Sequence, residues 1–110
     1  MNAKTMEALR GSRDKWRAIV DSPEAEDRGA ENCPLCAKFR TESNCVGCPV
    51  EARTGKSYCI GTPYIKWAKH QVGVHGTVGV LARKPGCAEC LRLAKAELAF
   101  LESLLPEGDK

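Results

Sequence analysis

Two C-x2-C pairs stand eight residues apart in the stretch NCPLCAKFRTESNCVGCPV. Cys33 and Cys36 form the first pair, Cys45 and Cys48 form the second, and Cys59 follows as a fifth nearby thiol. C-x2-C is the shortest spacing at which a tight turn directs two thiolates at one ion while its backbone N–H groups bond the sulfurs. The array therefore predicts a metal site whose four ligands come from these five cysteines.

Seven cysteines cannot all form disulfides within one chain, because the number is odd. The N-terminal segment MNAKTMEALRGSRDKW is charged and helix-like, with no signal-peptide core, and no later run is long enough to cross a bilayer. We therefore expect a soluble, cytoplasmic protein, in a compartment where disulfides are rare. Metal ligation is the favoured interpretation, and Zn²⁺ is the expected ion.

An iron–sulfur cluster is the less favoured alternative for this array. Cys48-Pro49 matches the cysteine-proline that ends some ferredoxin motifs, but the eight-residue gap does not match the bacterial spacing.

A third pair, Cys87 and Cys90, lies where the last predicted helix begins. It could join His70 and His75 in a second Cys2His2 site, in mirror order to a common zinc finger. It could instead join the first C-x2-C pair in a long-range clasp, or simply be buried as small apolar side chains on a leucine stripe. The sequence leaves these three alternatives open.

The two ends of the chain predict amphipathic helices, over residues 5–20 and 87–105. The second is the stronger pattern, and Pro106 follows it. Its apolar residues step by three and four: Leu91, Ala94, Leu98, Leu101 and Leu105. Neither helix can bury its stripe alone, so we expect the two to pack as an antiparallel pair.

Between these helices, residues 33–59 form the predicted zinc lobe. Thr62-Pro63 predicts the start of a short helix over residues 62–71, with Thr62 as its cap. Residues 72–86 alternate valine with glycine and predict a mobile loop, or two short strands turning at His75-Gly76. The predicted fold is a mostly α, metal-stabilised single domain over residues 1–110.

The apolar core predicted from composition is lean. Leu, Ile, Val and Phe together number twenty-one and the aromatics six in 110 residues. A domain this small has a thin stability margin, so bound metal is expected to stabilise what hydrocarbon does not.

Basic residues concentrate in the middle of the chain, where residues 33–95 hold ten Lys or Arg against three Asp or Glu. Such a bias suits a polyanionic partner, although it can also merely keep a cysteine-rich lobe soluble. The candidate phosphate contacts are Lys38, Arg40, Arg53, Lys56, Lys66 and Lys69.

The chain also resembles a family of small uncharacterised cysteine-rich proteins found in phages and prophage-like regions. The shared frame covers about residues 5–105 and consists of C-x2-C, C-x-G-C-P, a Thr-Gly-Lys turn, C-x-G-T-P-Y-x-x-W and a closing E-L-x-F-L-x-S-L-L helix. The resemblance implies a zinc-binding phage protein that acts in the host cytoplasm. Relatives lack the third pair, which favours a site built from the first five cysteines.

No catalytic constellation is evident, so we expect a protein that is not an enzyme. Gly55-Lys56-Ser57 lacks the first glycine of a P-loop, and the deaminase pattern of H-x-E with P-C-x2-C is missing. A thioredoxin-like role would need strands around Cys87 and Cys90. A small HNH-like nuclease is a less favoured functional alternative, because it needs a catalytic His with a second His or Asn across one metal, and His70 and His75 stand alone in a weakly patterned region.

The function expected from the sequence is a zinc-binding interaction protein that docks on a host or viral macromolecule. Helix faces and the Tyr64 and Trp67 region are the candidate contacts. The same aromatics could instead fill the lean core. The alternative is binding of single-stranded or non-specific nucleic acid through the basic centre.

Overall fold

The computed structural model describes residues 3–40, 47–56 and 59–106. Its helices, in chain order, are α1 (Ala3–Asp21), α2 (Pro49–Thr54), α3 (Pro63–Gly73) and α4 (Ala88–Ser103). A 3-10 turn (Gly29–Asn32) and a π-helical turn (Cys36–Arg40) lie between α1 and α2, and two short strands are β1 (Glu26–Asp27) and β2 (Leu81–Ala82).

The helices at the two ends, α1 and α4, pack against each other as an antiparallel pair. The face of α1 that is buried includes Leu9, Trp16 and Ile19, at the spacing of one side of a helix. From α4, Leu93 and Leu101 are buried in the same core. The predicted mostly helical fold with an antiparallel terminal pair is confirmed.

The third long helix, α3, packs on α4 and places Trp67 in the centre of the core. The Trp67 ring meets Trp16 edge-on, with 5.2 Å between ring centroids, and Tyr64 meets Trp16 similarly at 5.9 Å. These three aromatic side chains occupy much of the core, because the domain has few other large apolar residues.

The start of α3 differs from the prediction in one detail. Thr62 is the residue before the helix, but its side chain makes no capping hydrogen bond. Its hydroxyl donates to the Cys59 carbonyl at 2.7 Å, which ties the helix start to the preceding turn.

Residues 72–86 do not form the predicted hairpin. The one strand there, β2, pairs antiparallel with β1, with Asp27 opposite Leu81. Gly76 and Gly79 have φ values of +64° and +81°, so the chain leaves extended strand geometry at these two positions. Residues 72–80 therefore lead into β2, whose partner is the strand that follows α1.

Asp27 in β1 is fully buried. Its carboxylate accepts hydrogen bonds from Lys15 Nζ at 2.8 Å, from the Gly29 N–H at 2.9 Å and from Trp67 Nε1 at 3.0 Å. Because these donors belong to α1, the 3-10 turn and α3, one buried charge joins three parts of the fold.

None of the described helices combines the length and the apolar character needed to span a membrane.

Candidate metal centre

Four potential metal ligands converge where α3, the following loop and α4 meet. They are His70 near the end of α3, His75 in the loop, and Cys87 and Cys90 at the start of α4. One ligand atom from each lies within 4.8 Å of all the others, so the four could hold one metal ion. The Cys2His2 alternative drawn from the sequence is the arrangement that the structure contains.

Short contacts inside this group pair each cysteine with one histidine. Cys87 Sγ lies 3.4 Å from His70 Nε2, and Cys90 Sγ lies 3.3 Å from His75 Nε2. The two imidazole rings meet edge-on, with 4.9 Å between their centroids. All four side chains therefore face one point from different directions, as a four-coordinate ion requires.

The helix start determines where the two sulfurs lie. Cys87 is the N-cap of α4, and its sulfur accepts a hydrogen bond from the Cys90 N–H at 3.5 Å. That bond, followed by the contact with His70, lowers the pKa of Cys87 to about 6. The lowered pKa favours the thiolate form of Cys87 at neutral pH, and the thiolate is the form that binds metal.

Cys90 lies deeper than Cys87, and burial raises the pKa of its thiol. Buried Gln71 donates from Nε2 to Cys90 Sγ at 3.3 Å. Metal ligands are commonly oriented by such outer hydrogen bonds. Gln71 Oε1 is buried without a hydrogen-bond partner in the described part of the chain.

Gln71 is the contributor that sequence reasoning missed. Its position next to His70 in the sequence was the one available signal.

Two thiolates and two imidazoles form a donor set typical of structural zinc, in which all four positions belong to the protein. Such a site leaves no position for water or substrate. Its chemical consequence is a cross-link between α3, the loop and α4.

Four of the first five cysteines lie in the described residues, and none of the four belongs to this centre. Cys33, Cys36, Cys48 and Cys59 line one cavity of about 280 Å³. Cys45 lies outside the described residues. The prediction that these five supply metal ligands stays a prediction.

In the first C-x2-C pair, Cys36 lowers the pKa of Cys33. A hydrogen bond from the Cys36 thiol lowers the pKa of Cys33 to about 5, although burial acts in the opposite direction. Ser12 Oγ lies 3.6 Å from Cys33 Sγ and acts in the same sense as Cys36. The six described cysteines are thiols.

Tyr64 and Trp67, which the sequence suggested as contacts for a partner, differ in how far they are buried. Trp67 has none of its surface exposed, so it cannot serve as a surface anchor, and that part of the prediction is wrong. Tyr64 is half-buried, and burial together with the charge of Asp27 raises the pKa of its phenol above the usual range. Both residues fill the core, as the alternative interpretation expected.

The basic side chains of the middle segment differ in exposure. Arg53, Lys56, Lys66 and Lys69 are exposed, Lys38 is half-buried, and the side chain of Arg40 lies outside the described part. Lys66 and Lys69 line a shallow groove between α3 and α4 together with Arg92.

Comparison with protein-family models, with curated proteins and with solved structures finds no match to this chain. Its function is therefore inferred from the chemistry of its own residues.

Proposed function

We propose that the protein is a non-enzymatic, zinc-stabilised interaction module whose ion is held by His70, His75, Cys87 and Cys90. The observation that supports this most directly is the convergence of four ligand atoms within 4.8 Å from three separate segments. The nitrogen and sulfur donor set favours zinc over harder cations, which prefer oxygen.

The ion would fix the conformation of the valine loop, which we define as residues 72–80. Four of the five large apolar side chains that are most exposed in the described chain belong to it: Val72, Val74, Val78 and Val80. Val78 is 77% exposed. His70 lies before this loop, His75 lies within it and Cys87 lies after it. A bound metal ion would therefore fix the conformation of the loop and the position of its exposed valines.

The partner that suits the valine loop is a protein with an apolar patch and an acidic rim. Lys69 precedes the loop and Lys84 follows it, so basic side chains flank the valines. Apolar centres with complementary charges at the edge are usual in protein interfaces. For a phage-encoded chain, a host or virion protein would be that partner.

Zinc analysis of purified variants tests the metal part of the proposal. His75→Ala and Cys90→Ala should each lower the zinc content by about one ion per chain, because a structural site that loses one of its four ligands holds its ion poorly. Val78→Ser is the matched control, since it alters the same loop without removing a ligand. An unchanged zinc content in both ligand variants contradicts the proposal.

Binding measurements test the docking part. A partner recovered with the wild-type chain should be purified and its affinity measured by calorimetry against Val74→Ser/Val78→Ser. We expect the double variant to keep its zinc and to bind at least about tenfold more weakly, because interface energy concentrates in a few buried apolar anchors. Equal affinity of the two chains excludes the valine loop as the contact.

The groove lined by Lys66, Lys69 and Arg92 favours nucleic acid as a second candidate partner. Arg92 is partly neutralised by Glu89, whose carboxylate lies 2.7 Å from the Arg92 guanidinium. The two lysines therefore carry most of the positive charge of this groove.

A random single-stranded oligonucleotide tests this candidate. Binding should weaken steeply between about 50 and 200 mM salt, and Lys66→Ala/Lys69→Ala should reduce the slope of log affinity against log salt by about one to two. Absence of binding at about 50 mM salt, where electrostatic binding is strong, excludes it.

A further inference from the structure

The cavity between α1, α2 and α4 is lined by four cysteines that the proposed zinc centre does not use. We propose that this cavity binds a [4Fe–4S] iron–sulfur cluster through Cys33, Cys36, Cys48 and Cys59. The proposal goes beyond the zinc-stabilised docking function and does not depend on it, because the two sites share no ligand.

The four thiols reach the cavity from separate turns of the chain. Cys33 and Cys36 flank the junction between the 3-10 turn and the π-helical turn, Cys48 is the residue before α2, and Cys59 lies in the turn before α3. Four cysteines around one space are the ligand number of a cubane cluster. Soft thiolates also select iron–sulfur clusters, zinc or Cu(I) over oxygen-preferring cations.

The cavity is large enough to hold a cluster and not only a single ion. Its volume is about 280 Å³, roughly twenty times what one water molecule needs. A four-coordinate zinc ion with Zn–S bonds of about 2.3 Å would bring the sulfurs to within about 3.8 Å of one another. In a cluster each thiolate binds its own iron at a separate corner, so the sulfurs stay farther apart.

Within the described residues, Cys33 and Cys36 are close enough for a hydrogen bond, but no three of the cavity thiols form a group that could hold one ion. Any four ligands chosen from the five clustered cysteines include at least three of Cys33, Cys36, Cys48 and Cys59. Over residues 3–40, 47–56 and 59–106, the group that could hold one ion is the histidine and cysteine centre, and the cavity thiols do not form another.

The other residues around the cavity suit a cluster. The lining is largely apolar and includes Leu35, Val50 and Leu101. Ser12 Oγ lies 3.6 Å from Cys33 Sγ, and Lys15 supplies positive charge to a site that would carry negative charge. Hydrogen bonds to sulfur and burial are the features by which proteins stabilise clusters.

Glu97 gives independent evidence for a bound group. It belongs to α4, is only 4% exposed and lines the same cavity. Its Oε1 atom is buried without a hydrogen-bond partner in the described chain. Buried polar atoms are almost always satisfied, so an unsatisfied one in a thiol-lined cavity indicates a ligand on that side.

The cavity also explains why the sequence disfavoured this cofactor. The expected motif was a single run of cysteines with the bacterial spacing, which the chain lacks. In the folded chain the ligands are separated by two, eleven and ten residues, and Cys59 is brought in by the turn before α3.

Anaerobic reconstitution of the full chain with ferric iron, inorganic sulfide and a thiol reductant, which reduces two of the four irons as it forms a disulfide, tests the proposal. Each thiol loses its proton as the thiolate binds an iron. We expect iron and acid-labile sulfide in equal amounts, about four of each per chain, with visible absorption that dithionite bleaches. Iron bound without sulfide, or binding of zinc alone, overturns the proposal.

Variants distinguish the two sites. Cys36→Ser and Cys59→Ser should lose most of the iron and sulfide while keeping the zinc bound at the other centre. Cys87→Ser is the matched control, and it should lose zinc while keeping the iron and sulfide. Full cluster content in both Cys36→Ser and Cys59→Ser excludes these residues as ligands. The stoichiometry of the wild-type chain decides the question even if a variant fails to fold.

Discussion

Asp27 shows how much one residue can organise in a domain of this size. A buried carboxylate is costly unless hydrogen bonds and an opposite charge compensate it. Asp27 has both, since it is contacted by Lys15, by the Gly29 N–H and by Trp67. The sequence did not reveal it, because a lone Asp in a polar stretch is normally exposed. Its burial depends on donors that lie 12 and 40 residues away.

Replacing Asp27 with Ala should destabilise the fold by about 3 kcal/mol or more, because it leaves a mostly buried Lys15 and the Trp67 N–H without their acceptor. Urea unfolding followed by circular dichroism measures the change. Glu26→Ala is the matched control, since Glu26 is an exposed neighbour in the same strand whose pair with Arg28 is on the surface. Similar losses in the two variants contradict this assignment.

Glu97 should make stability depend on pH. Burial, and then the charge of Cys33, raises the pKa of Glu97 from 4.5 to about 8, while Lys15 acts the other way and Asp27 adds to the rise. The folded chain therefore holds a proton that the unfolded chain releases between about pH 4.5 and 8. Stability from this group is complete below pH 4.5 and is lost as the pH rises through 8.

We expect Glu97→Gln to gain about 2 kcal/mol or more over wild type between pH 5 and 8, measured by urea unfolding at each pH. Cys33, whose lowered pKa acts in the opposite direction, is present in both chains; because its charge interacts with Glu97, the difference between them also includes any change in the titration of Cys33. A difference that stays constant with pH is evidence against a protonated Glu97.

At the scale of elements, the sequence predicted what depends on local pattern. Helices were expected over residues 5–20, 62–71 and 87–105, and they occupy Ala3–Asp21, Pro63–Gly73 and Ala88–Ser103. The face that α4 buries is centred differently from its leucine stripe, since Glu97 is buried while Leu98 is only partly so. Packing against both α1 and α3 sets that face. The spacing of apolar residues in α4 therefore does not predict which face of the helix is buried.

Pairing between β1 and β2 also could not be predicted, because it joins segments 54 residues apart, from Asp27 to Leu81. Two-residue strands have almost no pattern of their own. Their pairing depends on the tertiary packing that brings the two segments together.

The contact between α1 and the turn before Cys36 is tight enough to test with one methyl group. A Cβ built on Gly11 would lie 2.9 Å from Pro34 Cγ, and a proline ring cannot rotate away. Gly11→Ala should therefore destabilise the fold by about 1 kcal/mol or more, although alanine favours helix.

Gly73 is the matched control for Gly11, because it ends α3 and a Cβ there meets nothing within 4 Å. Gly73→Ala should leave stability unchanged or raise it by up to about 1 kcal/mol. Thermal unfolding of both variants measures the difference. A stabilised Gly11→Ala chain means that α1 and Pro34 are farther apart than this structure shows.

At the scale of the whole molecule, the site was only partly predictable. The residue types and spacings of His70, His75, Cys87 and Cys90 allowed a common site, but helical propensity alone does not bring α3 onto α4. The choice among the three alternatives depended on that packing. Similarly, the cysteine array predicted metal, while the volume that its thiols enclose is a property of the assembled chain.

Removing metal should loosen the chain unevenly. A strong chelator that strips the zinc centre should cost about 3 kcal/mol or more of unfolding free energy, since metal binding and folding are coupled in such sites. The amide hydrogens of Val74 and Thr77, which bond to the carbonyls of His70 and Gln71, should then exchange faster. Hydrogen exchange measures this directly.

The amides in the middle of α1 are the internal control for this experiment. They lie in the helix pair and should change their exchange rates less than those of the valine loop. Uniform acceleration along the chain shows that the ion supports global rather than local stability.

Both cofactor positions share α4. Cys90 belongs to the histidine and cysteine centre, and Glu97 faces the thiol cavity about two helical turns further along. Because an α-helix of this length is stiff, a tilt imposed on α4 near Cys90 also moves the part of the helix around Glu97. α4 therefore contributes side chains to both proposed sites, and a displacement of this helix would move Cys90 and Glu97 together.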